Sequence, residues 1–498
     1  MKYYLGVDNG GTTTKAALFD EKGKQICSAS ESTQALYPRP DFVERDMEEM
    51  WQANCSVIRK VIEKSCVDSS DIRAVAVCGH GKGLYLWGKD NRPVRNGIIS
   101  TDNRAYEYPV KWRRDGIENK AFQYTCQHIM ACQPVPLLAW LRDNEPESIG
   151  KIKYIFACKD YVRFRLTGVA CAERTDYSGR GLINLYTGEY DDRILACFGL
   201  DVLNAALPPL KNSTDICGQI TEEAARQTGL AAGTPVAGGM FDINACALSA
   251  SVADPNHICM VAGTWSINEF ILPRPITDGR VLMNSLFCIP GWYLIEESSA
   301  TSAGNLAWYI RNLAQNSDDI YTQLNEEAAS VQPEDSCPIF LPFIMASNVH
   351  PNAKGTFIGI NAYHTRAHIV RSIYEGIAFC HRWHYEKLRK CMDNEPKGIR
   401  LAGGAAKSAV WTKIFADVMK LPVETSSTEE TGAHGCAIAA AIAVGDQPDI
   451  STALNTMTAI SAPVLPQDKY YEIYDRKYSL YKKVIESLTP VWDEYQEI

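Results

Sequence analysis

The sequence predicts an α/β protein with two domains. Its 498 residues, 46% of them hydrophobic and 22% charged, are enough for two substantial cores. Several apolar runs end in a glycine-rich turn that leads into another apolar run or a helix. The plan of strand, glycine-hydroxyl turn and strand occurs at residues 3–19 and again at residues 258–272, which indicates two related halves.

Composition limits the class of protein. The net charge of -9 and the pI near 5.6 argue against a general binder of nucleic acid or anionic membranes. The 17 cysteines are scattered through apolar segments and indicate reduced, buried thiols in a cytoplasmic protein. The longest apolar run, residues 436–444, is too short for a membrane span, and Asp8 interrupts the apolar start, so no signal peptide is expected.

The first turn, with the sequence DNGGTTTK at residues 8–15, has the groups that bind a nucleotide phosphate tail. A glycine pair lets backbone N–H groups converge, and hydroxyls and an ammonium add donors. The predicted phosphate ligands are Gly10, Gly11, Thr12, Thr13, Thr14 and Lys15. Asp8 offers a carboxylate that can hold Mg²⁺ through water. An ordinary tight hairpin remains the alternative on this stretch alone.

Two common phosphate motifs are absent from the sequence. None of the Gly-Lys pairs is followed by Ser or Thr in a Walker pattern, and no H-R-D loop of the protein-kinase type occurs. Any phosphate chemistry must therefore use another scaffold.

The first half continues with a helix, a buried strand and a second glycine-rich turn. Asp46 and Glu49 predict the start of a helix that buries Trp51. Residues 72–78 predict a strand, followed by the turn at residues 79–83. Such strand ends are where α/β proteins place ligands.

A break at residues 254–256 is the candidate domain boundary. Before it, residues 159–166 predict a helix, and residues 235–242 a strand that leads through a glycine pair to Asp242. The predicted domains are residues 1–250, residues 251–446 and a helical extension at residues 447–498.

The second half predicts helices at residues 365–391, 430–444 and 469–488. The small residues of the middle helix indicate tight packing, and the tyrosine-rich tail helix is expected to dock on the core. A strand at residues 399–402 runs into Gly403 and Gly404 and then a helix, which is a suitable corner for a nucleotide.

Five ordered motifs resemble the FGGY carbohydrate kinases. They are residues 8–15, Gly239-Met240-Phe241-Asp242, Gly263-Thr264, Gly403-Gly404-Ala405 and Thr431-Gly432-Ala433-His434-Gly435. Within the family the chain looks most like L-xylulose kinases, through residues 42–47, 81–84, 102–104 and 302–306.

The resemblance implies an actin-like and hexokinase-like fold of the ribonuclease H type, with two domains of mixed sheets flanked by helices and a ligand cleft between them. It also implies Mg-ATP-dependent phosphorylation of a sugar hydroxyl. Asp242 is then the general base and Asp8 the Mg²⁺ residue. The remaining cofactor residues that it implies are Gly263, Thr264, Gly403, Gly404 and Ser408, the first two for phosphate and the others for the adenine. From the sequence alone, a capping role for Asp242 is the alternative.

The sugar residues are predicted to be His80, Lys82, Asp102, Arg104 and Asp242. The turn at residues 79–83 differs from the Gln-Met-His-Gly type of many ketose kinases, which argues against an ordinary D-xylulose kinase. L-xylulose or a near relative such as 3-keto-L-gulonate is the expected substrate. D-xylulose, ribulose, erythritol and glycerol are alternatives, as is an actin-like ATPase acting on a protein partner, and a homodimer is one state that the sequence leaves open.

Two histidine pairs have helical spacing that could hold a metal: His364 with His368, and His381 with His384. Neither pair has the flanking glutamate of a zincin motif, so structural roles are expected.

Overall fold

A computed structural model describes residues 1–314, 317, 319–347 and 349–494. These residues form two compact units. The first unit comprises Met1–Ala253, Ile271–Ile295 and Thr428–Ala459, and the second comprises Asp254–Phe270, Glu296–Ser427 and the residues from Ile460 onward. The domain limits at residues 250 and 446 stay a prediction.

The strands are β1 (Tyr3–Asn9), β2 (Thr13–Asp20), β3 (Gln25–Ser32), β4 (Glu44–Arg45), β5 (Ile72–Gly79), β6 (Tyr85–Gly88), β7 (Gly97–Ile98), β8 (Ile152–Phe156), β9 (Ala172–Glu173), β10 (Leu210–Lys211), β11 (Ile216–Gln219), β12 (Pro235–Ala237), β13 (Met240–Phe241), β14 (His257–Ala262), β15 (Ser266–Leu272), β16 (Met283–Leu286), β17 (Tyr293–Ser299), β18 (Ile339–Leu341), β19 (Thr356–Ile358), β20 (Gly398–Gly403) and β21 (Val423–Thr425).

The α-helices are α1 (Met47–Ser65), α2 (Glu107–Arg114), α3 (Ile117–Thr125), α4 (Pro134–Asn144), α5 (Pro146–Lys151), α6 (Cys158–Thr167), α7 (Arg174–Gly179), α8 (Asp192–Ala196), α9 (Glu222–Thr228), α10 (Asp242–Ser249), α11 (Gly304–Leu313), α12 (Ile320–Ser330), α13 (Arg366–Arg389), α14 (Ala409–Met419), α15 (Thr431–Ala443), α16 (Ile450–Met457) and α17 (Tyr471–Glu494).

The central sheet of the first unit has its strands in the order β11-β12-β5-β1-β2-β3, and β13 also pairs with β5. The predicted hairpin of β1 and β2 is confirmed, with Asp8 opposite Lys15 in the antiparallel register. β1 and β5 are parallel and place Asn9 beside Gly79 at their carboxyl ends. The glycine-rich turns that follow these two strands therefore lie next to each other.

Helices cover the two faces of β1 in different ways. Leu5 and Val7 belong to the same buried cluster as Trp51 of α1, whose predicted burial is confirmed. On the opposite face, a Cβ atom on Gly6 would lie 1.8 Å from the backbone oxygen of Ala433 in α15. The close approach of α15 requires glycine at this position, and it confirms the tight packing predicted for the small-residue helix.

The second unit repeats the arrangement of the first hairpin. Its strands follow the order β17-β15-β14-β20-β21. β14 and β15 are antiparallel, while β14 and β20 are parallel with Ala262 beside Gly403. The predicted tail helix is confirmed as α17, which buries Tyr474, Tyr478 and Tyr481.

Candidate active site

Three strand ends of the first unit bring its predicted site residues together. Asp8 is the penultimate residue of β1, His80 follows β5, and Asp242 follows β13. β5 lies between the other two strands in register, with Gly79 paired to both Asn9 and Phe241. The two predicted carboxylates thus lie on either side of β5, at the carboxyl ends of these strands.

The turn between β1 and β2 presents open backbone. The N–H of Gly10 donates to the carbonyl of Thr13 over 3.0 Å, which closes the turn. A Cβ atom on Gly11 would meet nothing within 4 Å, and Thr12 is exposed. Thr14 is instead fully buried, and its hydroxyl accepts a hydrogen bond of 3.1 Å from Arg45. Thr14 thus supports the turn from inside, whereas Gly11 and Thr12 face outward.

Asp8 carries a buried oxygen that lacks a partner. Its Oδ1 atom has no hydrogen bond within the residues that the structure describes. A Cβ atom on Gly432, in the first turn of α15, would lie 2.6 Å from Oδ2, so the helix N-terminus is close to the carboxylate. Burial raises the pKa of Asp8, and the charge of Lys15 opposes that rise. Such an oxygen fits a hydrated cation, because a hard divalent ion prefers carboxylate oxygen and keeps several waters.

Lys15 is held by a carboxylate that the sequence interpretation missed. Its Nζ atom lies 2.9 Å from Glu430, the residue before α15. Burial alone would lower the pKa of Lys15, but the negative charges of Glu430 and Asp8 leave it raised. The ammonium is therefore charged at neutral pH and lies next to the turn.

Asp242 is the first residue of α10 and is not its cap. One carboxylate oxygen accepts a hydrogen bond of 2.8 Å from the N–H of Ile243. Burial raises its pKa well above the ordinary range, and the charges of Asp8 and Asp176 raise it further. A carboxylate with a raised proton affinity is suited to act as a general base.

The turn after β5 is buried and internally bonded. The Nδ1 atom of His80 lies 3.1 Å from the carbonyl of Gly81, and Nε2 lies 2.8 Å from the hydroxyl of Tyr85. Burial lowers the pKa of His80 to about 4, so the ring is neutral, and Nδ1 donates while Nε2 accepts. Lys82 adopts φ of 65°, a left-handed conformation that is uncommon outside glycine.

Asp102 and Arg104 form an ion pair with each other. Arg104 donates to Asp102 over 2.8 Å and also lies 2.8 Å from Glu44. Its guanidinium is 4.1 Å from the ring centroid of Phe42, and Asp102 accepts from the N–H of Val43 over 2.6 Å. The two segments that the sequence singled out, residues 42–47 and 102–104, thus build one buried network.

In the second unit, the turn between β14 and β15 resembles the first turn in its open backbone. The N–H of Gly263 donates to the carbonyl of Trp265 over 3.2 Å, and Thr264 is exposed. A Cβ atom on Gly263 would meet only Val261, at 4.0 Å. A phosphate group could approach this backbone closely.

The end of β20 is also glycine-dependent. Gly403 has φ of 81°, and a Cβ atom there would lie 2.6 Å from the backbone oxygen of Ala262. Gly404 is exposed. Ser408 caps α14 by accepting from the N–H of Trp411 over 3.2 Å, and it donates to Asn325 over 2.6 Å. The predicted corner of strand, glycine pair and helix is present.

The four histidines of the two pairs have protein partners; His368, His381 and His384 lie in α13, and His364 precedes it. The pairs are His364 with Ser336, His368 with Thr365, His381 with Asn268 and Ser302, and His384 with Ser299. Within the described residues, no group of three or more His, Cys, Asp or Glu side chains is placed to hold a metal ion. A single carboxylate with water and phosphate remains compatible with Mg²⁺.

The sequence interpretation also missed a buried carboxylate beside Asp242. Asp176 is fully buried, and neither of its oxygens has a hydrogen bond among the described residues. Burial raises its pKa to about 7. Lys159 lies 3.9 Å away. The only sequence signal was a pair of acids three residues apart, Glu173 and Asp176, and that spacing is common at helix starts.

No helix in the part of the chain that the structure covers is long and apolar enough to cross a membrane.

Family profiles match most of the chain. The N-terminal domain of the FGGY family of carbohydrate kinases matches residues 3–249, and the C-terminal domain of that family matches residues 258–444. The protein belongs to the FGGY family of carbohydrate kinases. Its class is therefore that of a sugar phosphotransferase, with the two-domain actin-like and hexokinase-like fold of that family.

Individual relatives are similar over their full length. The chain is 36% identical to "L-xylulose/3-keto-L-gulonate kinase" of Escherichia coli, covering 98% of this chain and 97% of the relative. It is 35% identical to "Probable L-xylulose kinase" of Pasteurella multocida, covering 98% and 99%. The crystal structure of xylulose kinase from Rhodospirillum rubrum superposes with a TM-score of 0.85 at 25% identity, covering 99% of this chain and 100% of that one.

Proposed function

We propose that this carbohydrate kinase transfers the γ-phosphoryl group of ATP, with Mg²⁺, to a hydroxyl of L-xylulose or a related ketose such as 3-keto-L-gulonate. The names of the two relatives above support this substrate class. The observation that carries the reaction type is the placement of Asp8 and Asp242 on either side of β5 with different partners.

Asp242 is proposed as the general base. Phosphoryl transfer needs positioning and charge stabilisation more than covalent help, and it needs an acceptor for the hydroxyl proton. The N–H of Ile243 fixes one oxygen at 2.8 Å, and the second oxygen is assigned to the sugar hydroxyl. The raised pKa strengthens its affinity for that proton.

Asp8 is proposed to hold Mg²⁺ through water. Its Oδ1 atom, buried and without a partner in the described residues, supports this assignment. When bound there, the metal would supply positive charge that neutralises the phosphate groups. The ammonium of Lys15, fixed by Glu430 at 2.9 Å, adds positive charge beside the same turn.

The remaining cofactor residues are assigned by their place in the two open turns and in the corner after β20. Gly10, Gly11, Thr12 and Thr13 are proposed to bind phosphate in the first unit, with Thr14 as their internal support. Gly263 and Thr264 are proposed as a second phosphate loop, and Gly403, Gly404 and Ser408 as the adenine corner. Exposed Thr264 and Gly404 support these assignments.

We propose that Lys82 contacts the sugar. His80 and the Asp102–Arg104 pair are proposed to hold their loops in place. The bonds of both His80 nitrogens to Gly81 and Tyr85 support the holding role. Arg104 donates to both carboxylate oxygens of Asp102, which supports the same conclusion for that pair.

The test is a coupled ADP-release assay with Mg-ATP against L- and D-ketopentoses, pentitols, glycerol and 3-keto-L-gulonate. We expect turnover that depends on the sugar and is highest with L-xylulose or 3-keto-L-gulonate. Asp242→Asn should lower kcat by about 10²- to 10⁴-fold while ATP binding by calorimetry stays unchanged. Asp143→Asn, at an exposed acid, is the matched control. ADP release that is independent of every sugar, or unchanged turnover in Asp242→Asn, would refute the proposal.

A further inference from the structure

The backbone that leads to Asp242 is fixed from three directions. Arg163 donates to the carbonyl of Gly238. The N–H of Gly239 donates to the carbonyl of Ser213 over 3.0 Å. The N–H of Phe241 donates to the side-chain hydroxyl of Thr175 over 3.0 Å. This segment is called the base loop (residues 238–242) below. Three of its residues on the N-terminal side of Asp242 therefore have protein partners.

Two of these supports converge on Glu173, which is fully buried. Its Oε2 atom accepts from the hydroxyl of Thr175 over 2.8 Å. Its Oε1 atom accepts from the hydroxyl of Ser213 over 2.8 Å and from the N–H of Thr175 over 3.0 Å. The ammonium of Lys159 lies 3.5 Å from Oε2. The Glu173 carboxylate thus binds Thr175 and Ser213. Thr175 in turn binds Phe241 of the base loop, and Ser213 binds Gly239.

The chemistry requires a carboxylate at this position. A hydroxyl has one proton, so Thr175 can accept from Phe241 and still be satisfied only if its own proton goes to another acceptor. Glu173 is that acceptor. An ionised carboxylate accepts at both oxygens, whereas an amide would present N–H groups to donors on one side.

The base loop packs closely against β5 and the turn after it. Gly239 has φ of 69°, and a Cβ atom there would lie 1.9 Å from the backbone oxygen of Val77. The ring of Phe241 occupies the space that a Cβ atom on Gly81 would need, with a contact of 2.2 Å. Movement of the base loop would therefore disturb β5 and the turn after it.

We propose that Glu173 and Thr175 are positioning residues that fix Asp242 against the sugar hydroxyl. The inference rests on the proposed role of Asp242 as the base. Neither residue is assigned a contact with substrate; Glu173 orients the Thr175 hydroxyl, and that hydroxyl anchors the residue next to the base. Because a displacement of about 1 Å can cost 10²-fold in rate, loss of this anchor should lower kcat rather than weaken nucleotide binding.

The decisive variant is Thr175→Val, which keeps the shape and removes the hydroxyl. We expect kcat to fall by about 10- to 100-fold, with the KM for ATP and the ATP affinity by calorimetry within about twofold of the parent protein. Thr175→Ser restores the hydroxyl and should recover most of kcat. Glu173→Gln should resemble Thr175→Val, since its amide cannot accept from both pairs of donors.

Thr228→Val is the matched control. Thr228 is fully buried in the same unit, donates to the carbonyl of Ala224 over 2.7 Å and accepts from the N–H of Leu230 over 3.3 Å. Its hydroxyl thus has the same donor and acceptor roles, away from the base loop, and its loss should leave kcat within about twofold.

The outcomes separate this inference from the proposed function. If Asp242→Asn loses turnover while Thr175→Val and Glu173→Gln keep the parent kcat, the positioning role is wrong and the base assignment survives. If Asp242→Asn keeps turnover, the proposed function itself fails. An equal loss of kcat in Thr175→Val and Thr228→Val would mean general destabilisation and would overturn the inference. Should Thr175→Val not fold, Ser213→Ala decides by the same readout, with an expected loss of about 3- to 10-fold.

Discussion

The hairpins β1–β2 and β14–β15 share one backbone frame and carry different charges. In each unit an antiparallel hairpin pairs with a third, parallel strand whose last glycine lies beside the last residue of the first strand. Asn9 is next to Gly79 in the first unit, and Ala262 is next to Gly403 in the second. One residue before this point, the first hairpin has Asp8 opposite Lys15, whereas the second has apolar Val261 opposite Ile267.

The difference separates two functions that a kinase needs, which are phosphate binding and the stabilisation of charge. An open glycine-hydroxyl turn is enough to approach phosphate oxygens through backbone N–H groups, and both hairpins have one. A charged pair adds the means to hold a cation and to balance developing charge. In the first unit, Asp242, the proposed base, lies at the same end of the sheet, and burial raises its pKa. We therefore expect substitutions in the first hairpin to act on kcat and those in the second to act on nucleotide affinity.

The largest expected effect is at the position where the hairpins differ most. Asp8→Asn should lower kcat by roughly 10³-fold, because the amide cannot replace a carboxylate in holding a hydrated Mg²⁺. Val261→Thr, its counterpart in the second hairpin, should change kcat by less than about threefold. Initial rates at varied Mg²⁺, with the ATP concentration fixed, measure both effects. Equal losses at the two positions would mean that the shared frame, and not the charge, sets the rate.

A smaller effect is expected from the two glycines that end the parallel strands. Gly403 has φ of 81° and faces the backbone oxygen of Ala262 at 2.6 Å, whereas the nearest atoms to a Cβ on Gly79 belong to Asn9 at 3.2 Å. Gly403→Ala must therefore strain or shift the backbone of the adenine corner. We expect the KM for ATP to rise by about tenfold, which corresponds to about 1.4 kcal/mol.

Gly79→Ala is the comparison for this change. Its contacts can relax by a few tenths of an ångström, so the KM for ATP should change by less than about threefold. Steady-state kinetics at saturating sugar measure both variants, and a larger effect at Gly79 would contradict the comparison.

Sequence patterns predicted the frame of both hairpins, because apolar runs interrupted by glycine and hydroxyl residues specify strand, turn and strand. They also indicated Asp8 and Asp242 as site residues, because the order of the motifs can be read directly from the sequence. Glu430 and Glu173 could not be found in this way. Each reaches its partner across hundreds or tens of residues, Glu430 to Lys15 at 2.9 Å and Glu173 to Ser213 at 2.8 Å, and only the folded chain brings them together.

The same limit explains the sugar residues. His80 and Asp102 were predicted as polar groups on loop ends, where solvent or ligand would be the natural partner. In the fold, Nε2 of His80 lies 2.8 Å from the hydroxyl of Tyr85, and Asp102 accepts from the guanidinium of Arg104, so their role toward the sugar stays a prediction. Residue type and position indicate which side chains can donate or accept, and burial decides which partner they meet.

The smallest expected effect extends the contrast in charge, because it removes one of the negative charges that raise the pKa of Asp242. Burial, Asp8 and Asp176 raise the pKa of Asp242, in that order, while the N–H of Ile243 and Lys82 oppose the rise. A base must be ionised to accept a proton, so kcat should fall as the pH is lowered through this raised pKa.

Asp176→Asn removes one negative neighbour of Asp242 and should move the acidic limb of the kcat profile to lower pH. Because the pKa of Asp176 is itself about 7, its charge and its influence are present mainly above that pH. The measurement is kcat from pH 5 to 9 with Asp143→Asn as the exposed-acid control, and a limb that stays in place or moves to higher pH would show that Asp176 does not act on the base.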